Sequence, residues 1–391
     1  MKRRNFIRLA GGGIVVAAAA GAGGAYALRS AYPQAAVEAW SGPGAETDPR
    51  RRALAYAITA PNSHNLQPWL VDLRQEGQVM VYMDPQRVLP ETDPFGRQIL
   101  VSHGAFLELL VIALAGQGLA SDVTLWPQGE LGPELKGWDR RPVAQLRLSP
   151  GGRRDPLFAQ ILNRHTPKVD FDTTRPVGAE VLAALLATVP ATSVQAGGTV
   201  EAQRLAPLRT LCWESAKVEL LTPATVMESV RLTRVGPGEI LRHRDGISIN
   251  SAVPRVAAAL GMFDRANPPL EGSPAYSQMM SRFRGHSDTA MGFLWLATAG
   301  NTRTQQVEAG RAYVRLQLRA TELGVGVHPM SQALQEFKEM APHYEQAHRL
   351  LIGKPAPKSS AEATLQMFCR LGYTAGAVPA TPRRATGSFL V

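Results

Sequence analysis

A helix that ends in glycine and leads into a strand occurs once in each half of this chain. The first copy extends from Ser102 through an apolar stretch to Gly118, and the second extends from Val307 to Gly324. Each copy predicts a helix of roughly five turns with glycine at its C-terminal cap. A shorter helix and a strand precede each copy, although few residues are identical between them. The pattern predicts a duplicated α+β unit, with coincidence as the alternative.

The periodicity of apolar residues predicts further elements around these two helices. In the first half it predicts a helix at 49–60, a hairpin with strands at 69–73 and 79–84, a helix at 97–118 that is buried on all sides, and strands at 123–126 and 143–148. In the second half it predicts helices at 156–162, 176–189, 208–221 and 305–323, and strands at 200–205, 293–298 and 365–370.

Composition divides the chain into segments. Residues 1–30 form a leader, 31–48 a linker, 49–150 the first half and 151–391 the second half. Within the second half, the proline-rich stretch at about 231–281 is predicted to be an irregular insertion, which we interpret as a cover over a site.

The leader has the features of an export signal. Two arginines, Arg3 and Arg4, precede a long uncharged stretch rich in alanine and glycine, and the small-x-small sequence at 25–27 indicates a cleavage site. The twin arginines resemble those of a Tat signal. We therefore expect the Tat machinery to export the protein to the periplasm or another extracytoplasmic compartment. An uncleaved leader that anchors the protein in the membrane is the alternative.

Composition and charge exclude several classes of protein. Hydrophobic residues make up 45% of the 391 residues and charged residues 19%, which is typical of a globular chain. The net charge is +10, but the basic residues beyond the leader occur mostly in small groups and form no stripe interleaved with aromatics. We therefore expect no binding to nucleic acid.

The sequence lacks the signatures of a disulfide framework and of a metal site. Cys212 and Cys369 are the two cysteines, and they are too few for a framework. Buried free thiols are the simpler interpretation, and a disulfide stays open if the protein is exported. The sequence contains neither an HExxH motif nor a metal-ligand spacing of His and Cys. We therefore predict no metal. The sequence also lacks the glycine patterns of classical dinucleotide and P-loop sites.

The polar loop at 60–69 lies between two apolar elements and is a candidate binding surface. It combines two prolines with asparagine, serine, glutamine and histidine, which are typical of turns. An ordinary connector between a helix and a strand is the alternative.

Four segments resemble those of flavin-dependent nitroreductases. The loop, with Ser63, Asn65 and Gln67 before Pro68-Trp69, resembles the APSxxNxQPW stretch of that family. The segment at 164–168, followed by Phe171, resembles its Arg-x-Ser-x-Arg/Lys phosphate grip. The segments at 323–330 and 370–384 resemble the LGLG…P stretch and the C-terminus. Their order over residues 50–390, the leader and the doubled length resemble the Acg-type branch of the family.

This resemblance implies a nitroreductase-like fold in which two tandem degenerate halves form a pseudo-dimer. Ordinary nitroreductases are homodimers that bind FMN at the subunit interface. Here the first half has the polar loop without a grip, and the second half has the grip without a second polar loop. The resemblance therefore implies a monomeric pseudo-dimer with one FMN per chain.

The resemblance also implies which residues bind the flavin. Arg164, Thr166 and Lys168 offer charge and hydrogen bonds to a dianionic phosphate, and the amides of Asn65 and Gln67 suit the carbonyls and nitrogens of the ring. The full predicted set is Arg164, His165, Thr166, Lys168, Ser63, Asn65, Gln67, Pro329, Met330, Arg383 and Arg384. Surface pairing is the alternative for the last two. No catalytic side chain is assigned, because the flavin carries the hydride chemistry.

Three functions follow from these features. The first is an oxidoreductase that takes hydride from NAD(P)H or another reduced donor and passes it to a small nitro- or quinone-type acceptor. The second is a protein that sequesters or stores FMN with little turnover, which the insertion and export both favour because NAD(P)H is scarce outside the cytoplasm. The third is a decayed site that binds nothing.

Overall fold

The computed structural model describes residues 32–190, 193–261 and 263–391. The predicted leader lies outside these residues. The helices are α1 (Pro49–Ala57), α2 (Arg97–Ala115), α3 (Ala179–Leu186), α4 (Ala202–Leu221), α5 (Pro223–Arg231), α6 (Gly236–His243), α7 (Ala252–Ala259), α8 (Pro274–Asp288), α9 (Arg303–Glu322) and α10 (Ala341–Ile352). The strands are β1 (Trp69–Asp72), β2 (Gln78–Met83), β3 (Leu119–Leu125), β4 (Pro142–Pro150), β5 (Val194–Thr199), β6 (Thr233–Val235), β7 (Ile247–Ile249), β8 (Gly292–Thr298), β9 (Gly326–Pro329) and β10 (Thr364–Gly372). This mixture of helices and sheets agrees with the predicted α+β class.

The first four strands form an antiparallel sheet in the order β1-β2-β4-β3. β1 and β2 form the predicted hairpin, with Trp69 opposite Met83. Trp69 is fully buried and stacks on Phe106 of α2, with 4.6 Å between the ring centroids. The hairpin that follows the 60–69 loop is therefore anchored in the core.

The second half contains another four-stranded antiparallel sheet, in the order β5-β8-β10-β9. When the strands of each sheet are counted along the chain, both sheets have the order first, second, fourth, third. The long helix of each half connects the second strand to the third, since α2 joins β2 to β3 and α9 joins β8 to β9.

The two long helices pack against each other at a pair of glycines. A Cβ on Gly104 of α2 would lie 1.9 Å from the carbonyl oxygen of Val307, and a Cβ on Gly310 of α9 would lie 1.9 Å from that of Val101. Only glycine permits this approach of two backbones. Nearly all of α2 is buried, as its apolar sequence predicts. By length and composition α2 is also the one described helix that could cross a membrane, but 83% of its apolar window is buried within the protein.

An arginine at the start of each long helix reaches into the other half. Arg97 donates to the carbonyl oxygens of Leu334 and Gln366. Arg303 donates to those of Phe95 and Gly132, at 2.9 and 2.7 Å. Each half therefore depends on a buried cation that belongs to the other.

The prediction of irregular backbone throughout the insertion was wrong. It contains α6, α7, the beginning of α8 and a small parallel sheet of β6 and β7. The prolines that suggest irregular structure include Pro237 and Pro274, which lie in the first turn of α6 and α8. Proline has no backbone donor to lose at that position, so it begins a helix instead of breaking it.

The strand predicted at 200–205 was also wrong, because β5 ends at Thr199 and α4 begins at Ala202. β5 contains Gly197 and Gly198, which weaken the sequence signal of a strand. A Cβ on Gly197 would lie 2.5 Å from the ring of Trp295 on the neighbouring strand. The glycine therefore makes room for an aromatic ring. The helix predicted at 156–162 is a short 3₁₀ helix, Pro156–Gln160.

Candidate functional site

The 60–69 loop has a strained backbone. His64, Asn65 and Gln67 have φ angles of 48°, 54° and 54°, in the left-handed region that residues other than glycine rarely adopt. The side chain of Asn62 accepts a hydrogen bond from the Gln67 backbone N–H at 2.8 Å. Such strain persists only where the surroundings hold it, and here the C-terminal tail and the insertion do so.

Arg383 holds the C-terminal tail on this loop. It is buried, and its guanidinium group donates at 2.7–3.0 Å to oxygens of the segment that leads into the loop and to one oxygen within the loop. These acceptors are the backbone carbonyls of Ile58, Thr59 and Ala60 and the side-chain oxygen of Asn65. Burial lowers the pKa of Arg383 to about 9, so the side chain stays charged at neutral pH. Protein oxygens thus occupy most of its donors.

The amides of Asn65 and Gln67 also bind the tail and the insertion. Asn65 Nδ2 donates to the Pro382 carbonyl at 3.1 Å. The side-chain oxygen of Gln67 accepts from the Arg384 backbone N–H at 2.9 Å, and its Nε2 donates to the Arg244 carbonyl at 2.8 Å. Gln67 is fully buried. These contacts use several of the groups that the resemblance assigns to a flavin ring.

The insertion and the helix before it cover the same loop. His64 Nε2 lies 3.0 Å from Ser229 Oγ of α5. The Gly246 backbone N–H donates to the Asn65 carbonyl at 3.2 Å. Next to Gly246, Asp245 forms an ion pair of 2.7 Å with Arg87 of the first half. The cover is therefore attached by hydrogen bonds and by charge.

Arg164, the first residue of the predicted grip, is buried on the other side of this loop. It donates to the Thr59 carbonyl at 2.9 Å, to Gln317 Oε1 of α9 at 2.7 Å and to Thr166 Oγ1 at 3.3 Å. Burial lowers its pKa to about 10. Both terminal nitrogens of the guanidinium group therefore donate hydrogen bonds, whereas its Nε is buried with no partner in the described chain.

Trp40 of the linker covers this part of the grip. Its ring centroid lies 5.5 Å from the Arg164 guanidinium, 5.2 Å from that of Arg383 and 4.4 Å from the His165 ring. Its indole N–H donates to the Thr381 carbonyl at 2.8 Å. Burial lowers the pKa of His165 to about 4, and the two arginine charges add to this effect. The aromatic cover stabilises two neighbouring cations by cation–π contact.

A third buried arginine, Arg370 of β10, fixes the end of the grip. It donates to the carbonyl oxygens of Pro167 and Val169 at 3.4 and 2.6 Å and to that of His286 at 3.0 Å. Its Nε donates to His328 Nδ1 at 3.0 Å. Arg370 therefore ties the grip to α8 and β9.

Four basic side chains, Lys168, Arg282, His286 and His328, meet beside Arg370, and we call them the cationic chamber. The rings of His286 and His328 lie 5.0 Å apart and nearly perpendicular. Lys168 and Arg282 are exposed to solvent, yet burial is the main cause that lowers the pKa of each, that of Lys168 to about 8. Both side chains therefore contact solvent, while the protein around them is densely packed.

The histidines of the chamber are neutral at neutral pH. Burial and the charge of Arg370 lower the pKa of His286 to about 3 and that of His328 well below its usual range. The pKa of His64 falls to about 4, mainly through burial and partly through the charge of Lys168. The 60–69 loop therefore adjoins the chamber. A cluster of exposed cations beside neutral imidazoles is chemically suited to an anion such as phosphate.

The remaining predicted residues have mostly structural neighbours. Ser63 donates its backbone N–H to Ser102 Oγ at 3.2 Å. Pro329 is paired with Cys369 across β9 and β10, and Met330 is buried in the core. Arg384 donates to the Gln67 carbonyl at 2.8 Å, and burial lowers its pKa to about 10.

The two cysteines are buried free thiols in this structure. Burial raises the pKa of both well above the usual range. The charge of Arg370 partly opposes this rise at Cys212, and Cys212 adds to it at Cys369. The thiols are therefore protonated at neutral pH, which is the simpler of the two interpretations that the sequence leaves open.

Sequence reasoning missed Arg282, His286 and Trp40. Arg282 and His286 are four residues apart, a spacing that places both on one face of α8. The prolines around α8 conceal that helix in the sequence. Trp40 lies in a stretch whose composition indicates only a linker. The one available signal was an unexplained tryptophan in that linker.

The chain is similar to several proteins of Mycobacterium tuberculosis. It is 27% identical over 356 residues to the protein named "Putative NAD(P)H nitroreductase Rv3131", a match that covers 88% of this chain and 90% of that protein. It is 30% identical over 126 residues to "Uncharacterized protein Rv3127" and 31% identical over 125 residues to "Putative NAD(P)H nitroreductase acg". Each of these two matches covers 32% of this chain and only 36% of the relative. No family model matches the chain.

Solved structures give a weaker likeness. The FMN-dependent nitroreductase NfnB from Mycobacterium smegmatis in complex with NADPH is 17% identical, with a TM-score of 0.36, and the match covers 59% of this chain and 94% of that one. A nitroreductase with bound FMN from Bacteroides fragilis is 13% identical, with a TM-score of 0.32, and the match covers 59% of this chain and 95% of that one. These TM-scores are too low to establish a shared fold. The similarity to Rv3131 extends over most of both sequences.

Proposed function

We propose that this chain is an FMN-binding oxidoreductase of nitroreductase type, with one FMN in a single-chain pseudo-dimer. The observation that carries the proposal is the cationic chamber beside the 60–69 loop, because it offers charge for a phosphate next to the segment that resembles the flavin loop of the family. The relative Rv3131, similar over 356 residues, is itself named a nitroreductase.

The arrangement of the two halves supports the pseudo-dimer. Both sheets have the same strand order, and the glycine contact between the long helices is reciprocal. Arg97 and Arg303 stand at equivalent places and cross in opposite directions. A self-complementary contact of this kind is what a two-fold dimer interface provides between separate chains.

The residues fit the two ends of FMN unequally. Lys168 offers a charged donor to the phosphate. Asn65 and Gln67 already bind the tail and insertion, so we assign them mainly to holding the loop. When bound, the flavin supplies the hydride chemistry, from NAD(P)H to a small nitro- or quinone-type acceptor. The chain's own residues bind it, orient it and keep water from the loop.

Sequestration of FMN without turnover is the second candidate function. The contacts of the insertion with Asn65 and Gln67, and of helix α5 with His64, favour it, because a cover attached to the binding loop would keep a second substrate away from the ring. In that case the protein would hold FMN but would not exchange hydride with a donor in solution.

A spectrum of the purified full chain tests the proposal. We expect a yellow protein, or a colourless one that FMN turns yellow with one flavin per chain. Anaerobic NADPH bleaches it if the protein is an oxidoreductase and leaves it yellow if it sequesters FMN. A protein that stays colourless in excess FMN contradicts both functions, and two flavins per chain contradict the single site.

We also propose that the leader directs export by the Tat machinery. Replacement of both Arg3 and Arg4 by lysine should keep the protein in the cytoplasm, whereas Arg8→Lys, outside the twin pair, should not. Unchanged export of the double variant contradicts the proposal. Recovery of the wild type in the membrane fraction favours the uncleaved anchor.

A further inference from the structure

Two cations of the chamber have no partner of opposite charge. Within the described residues, neither the Lys168 ammonium nor the Arg282 guanidinium makes a hydrogen bond or an ion pair. The segments that carry them lie side by side, because Arg370 donates both to the carbonyls that flank Lys168 and to the His286 carbonyl on α8. In keeping with this, the Arg282 charge helps to lower the pKa of Lys168. Like charges placed together repel each other, so an anion bound between them would lower the free energy of this arrangement.

The carboxylate that does approach this region serves a different residue. Asp170 lies beside α8, since a Cβ on Gly285 would meet its Oδ1 at 2.5 Å. Its charge acts on Arg370, where it opposes the lowering of the pKa that burial causes. Asp170 does not neutralise Lys168 or Arg282, and His286 and His328 add no negative charge.

The other basic residues near the loop are already engaged. Arg383 and Arg164 donate to backbone carbonyls, and Trp40 covers both guanidinium groups. Arg370 donates to three carbonyl oxygens and to His328. Lys168 and Arg282, by contrast, donate no side-chain hydrogen bond within the described residues.

We propose that Arg282, on helix α8 beyond the segments that resemble the family, binds a phosphate group together with Lys168. The chemical class of ligand is a phosphate monoester dianion, such as the phosphate of FMN or the 2′-phosphate of NADPH. Arg282 can donate two parallel hydrogen bonds and Lys168 adds a point charge, a combination that suits phosphate. Arg370 positions both, because it holds the carbonyls that flank Lys168 and the carbonyl of His286 on α8.

This inference deepens the proposed function and rests on it for the identity of the ligand. The affinities of the full chain for FMN and riboflavin, measured by quenching of flavin fluorescence, separate the phosphate from the ring. We expect Arg282→Gln to weaken FMN binding about tenfold or more and to leave riboflavin binding unchanged. The same comparison of NADPH with NADH shows whether the 2′-phosphate is the group bound. Arg282→Lys should recover part of the lost affinity.

Arg284→Gln is the matched control, since Arg284 lies on the same helix but pairs with Asp288. It should bind FMN as the wild type does. The inference is wrong if Arg282→Gln still prefers FMN over riboflavin, and NADPH over NADH, as strongly as the wild type does.

A measurement without flavin separates this inference from the proposed function. Inorganic phosphate should raise the melting temperature of the wild type relative to chloride at equal ionic strength, and Arg282→Gln should lose that rise. If the protein binds no flavin but shows this difference, the phosphate site stands and the flavin function fails. If neither phosphate nor any phosphorylated ligand distinguishes the two proteins, the phosphate site is overturned.

Discussion

Arg383 is charged and buried, and among the described residues its partners are neutral oxygens. Removal of its side chain would take the Arg383 donor from the Ile58 carbonyl and one of two donors from each of the Thr59 and Ala60 carbonyls. We expect Arg383→Ala to lower the free energy of unfolding by about 3 kcal/mol or more. Arg383→Lys should recover only part, because one ammonium group cannot replace a planar fork. Urea unfolding followed by circular dichroism measures both changes.

Arg153→Ala is a suitable control for this experiment. Arg153 is exposed and makes no hydrogen bond or ion pair in the described chain, so its loss should change stability by about 0.5 kcal/mol at most. An Arg383→Ala protein that unfolds at the wild-type urea concentration would show that the tail does not depend on this arginine.

Glu219 of α4 is a carboxyl group in the core. Burial raises its pKa to about 7, and the charge of Glu228 adds to the effect. Gln335 Nε2 donates to it at 3.1 Å, while the buried Oε1 atoms of Gln332 and Gln335 have no partner among the described residues. A protonated carboxyl group, or the amide of a glutamine, could donate to such an oxygen. The site therefore favours the neutral form.

This pKa predicts a pH dependence of stability. Because the folded pKa lies above the usual glutamate value of 4.5, the folded protein binds more protons than the unfolded chain between these two values, and stability falls as pH rises from about 4.5 to 7. Glu219→Gln removes this loss and should gain on the order of 3 kcal/mol over the wild type at pH 8. Urea unfolding at pH 5 and pH 8 gives the difference. Glu214→Gln, an exposed partner of Lys217 on the same helix, should show no such gain.

At the level of single residues, the sequence was a good guide to which segments lie together. It was a poorer guide to the contacts that each side chain makes. The resemblance singled out Asn65, Arg164 and Arg383, and the structure places all three around Thr59 and Ala60. Their partners are backbone carbonyls and residues far away in sequence. Local patterns contain no information about such contacts, so the division between engaged and free cations emerges only in three dimensions.

The contact between α2 and α9 depends on two glycines. Gly104→Ala would place a methyl group 1.9 Å from the Val307 carbonyl oxygen, so the helices must separate. We expect a loss of about 1–3 kcal/mol in the free energy of unfolding, as in other overpacked cores. Gly238→Ala is the control, since Gly238 lies in helix α6 with open space around it. That change should be neutral or slightly stabilising. Equal stabilities of the two variants would contradict the close contact.

Elements with strong local signals were predicted well, and those defined by distant contacts were not. The hairpin of β1 and β2 and the long helices α2 and α9 follow directly from apolar periodicity. β5 was misplaced because one of its glycines, Gly197, makes room for the ring of Trp295 on another strand. The helices of the insertion were missed because their prolines stand in first turns. In each case tertiary packing gives a residue a role that differs from its usual local preference.

At the scale of the whole molecule, the two halves share one core. Val307, Val314 and Leu318 of α9 pack in the hydrophobic cluster of the first half, and Val101 of α2 packs in that of the second. Arg97 and Arg303 add buried hydrogen bonds in both directions. Neither half therefore has a complete core of its own, so the halves should unfold together.

Hydrogen exchange tests this cooperativity. β4 belongs to the first sheet and β10 to the second, and in a single cooperative unit the slowest amides of both exchange through global unfolding. We expect equal free energies of opening for the two strands in the wild type, and an equal decrease in both when Gly104→Ala separates the central helices. A decrease confined to β4 would show that the first half unfolds alone. In that case the contacts across the centre would not couple the two sheets, and the two halves would be independent folding units.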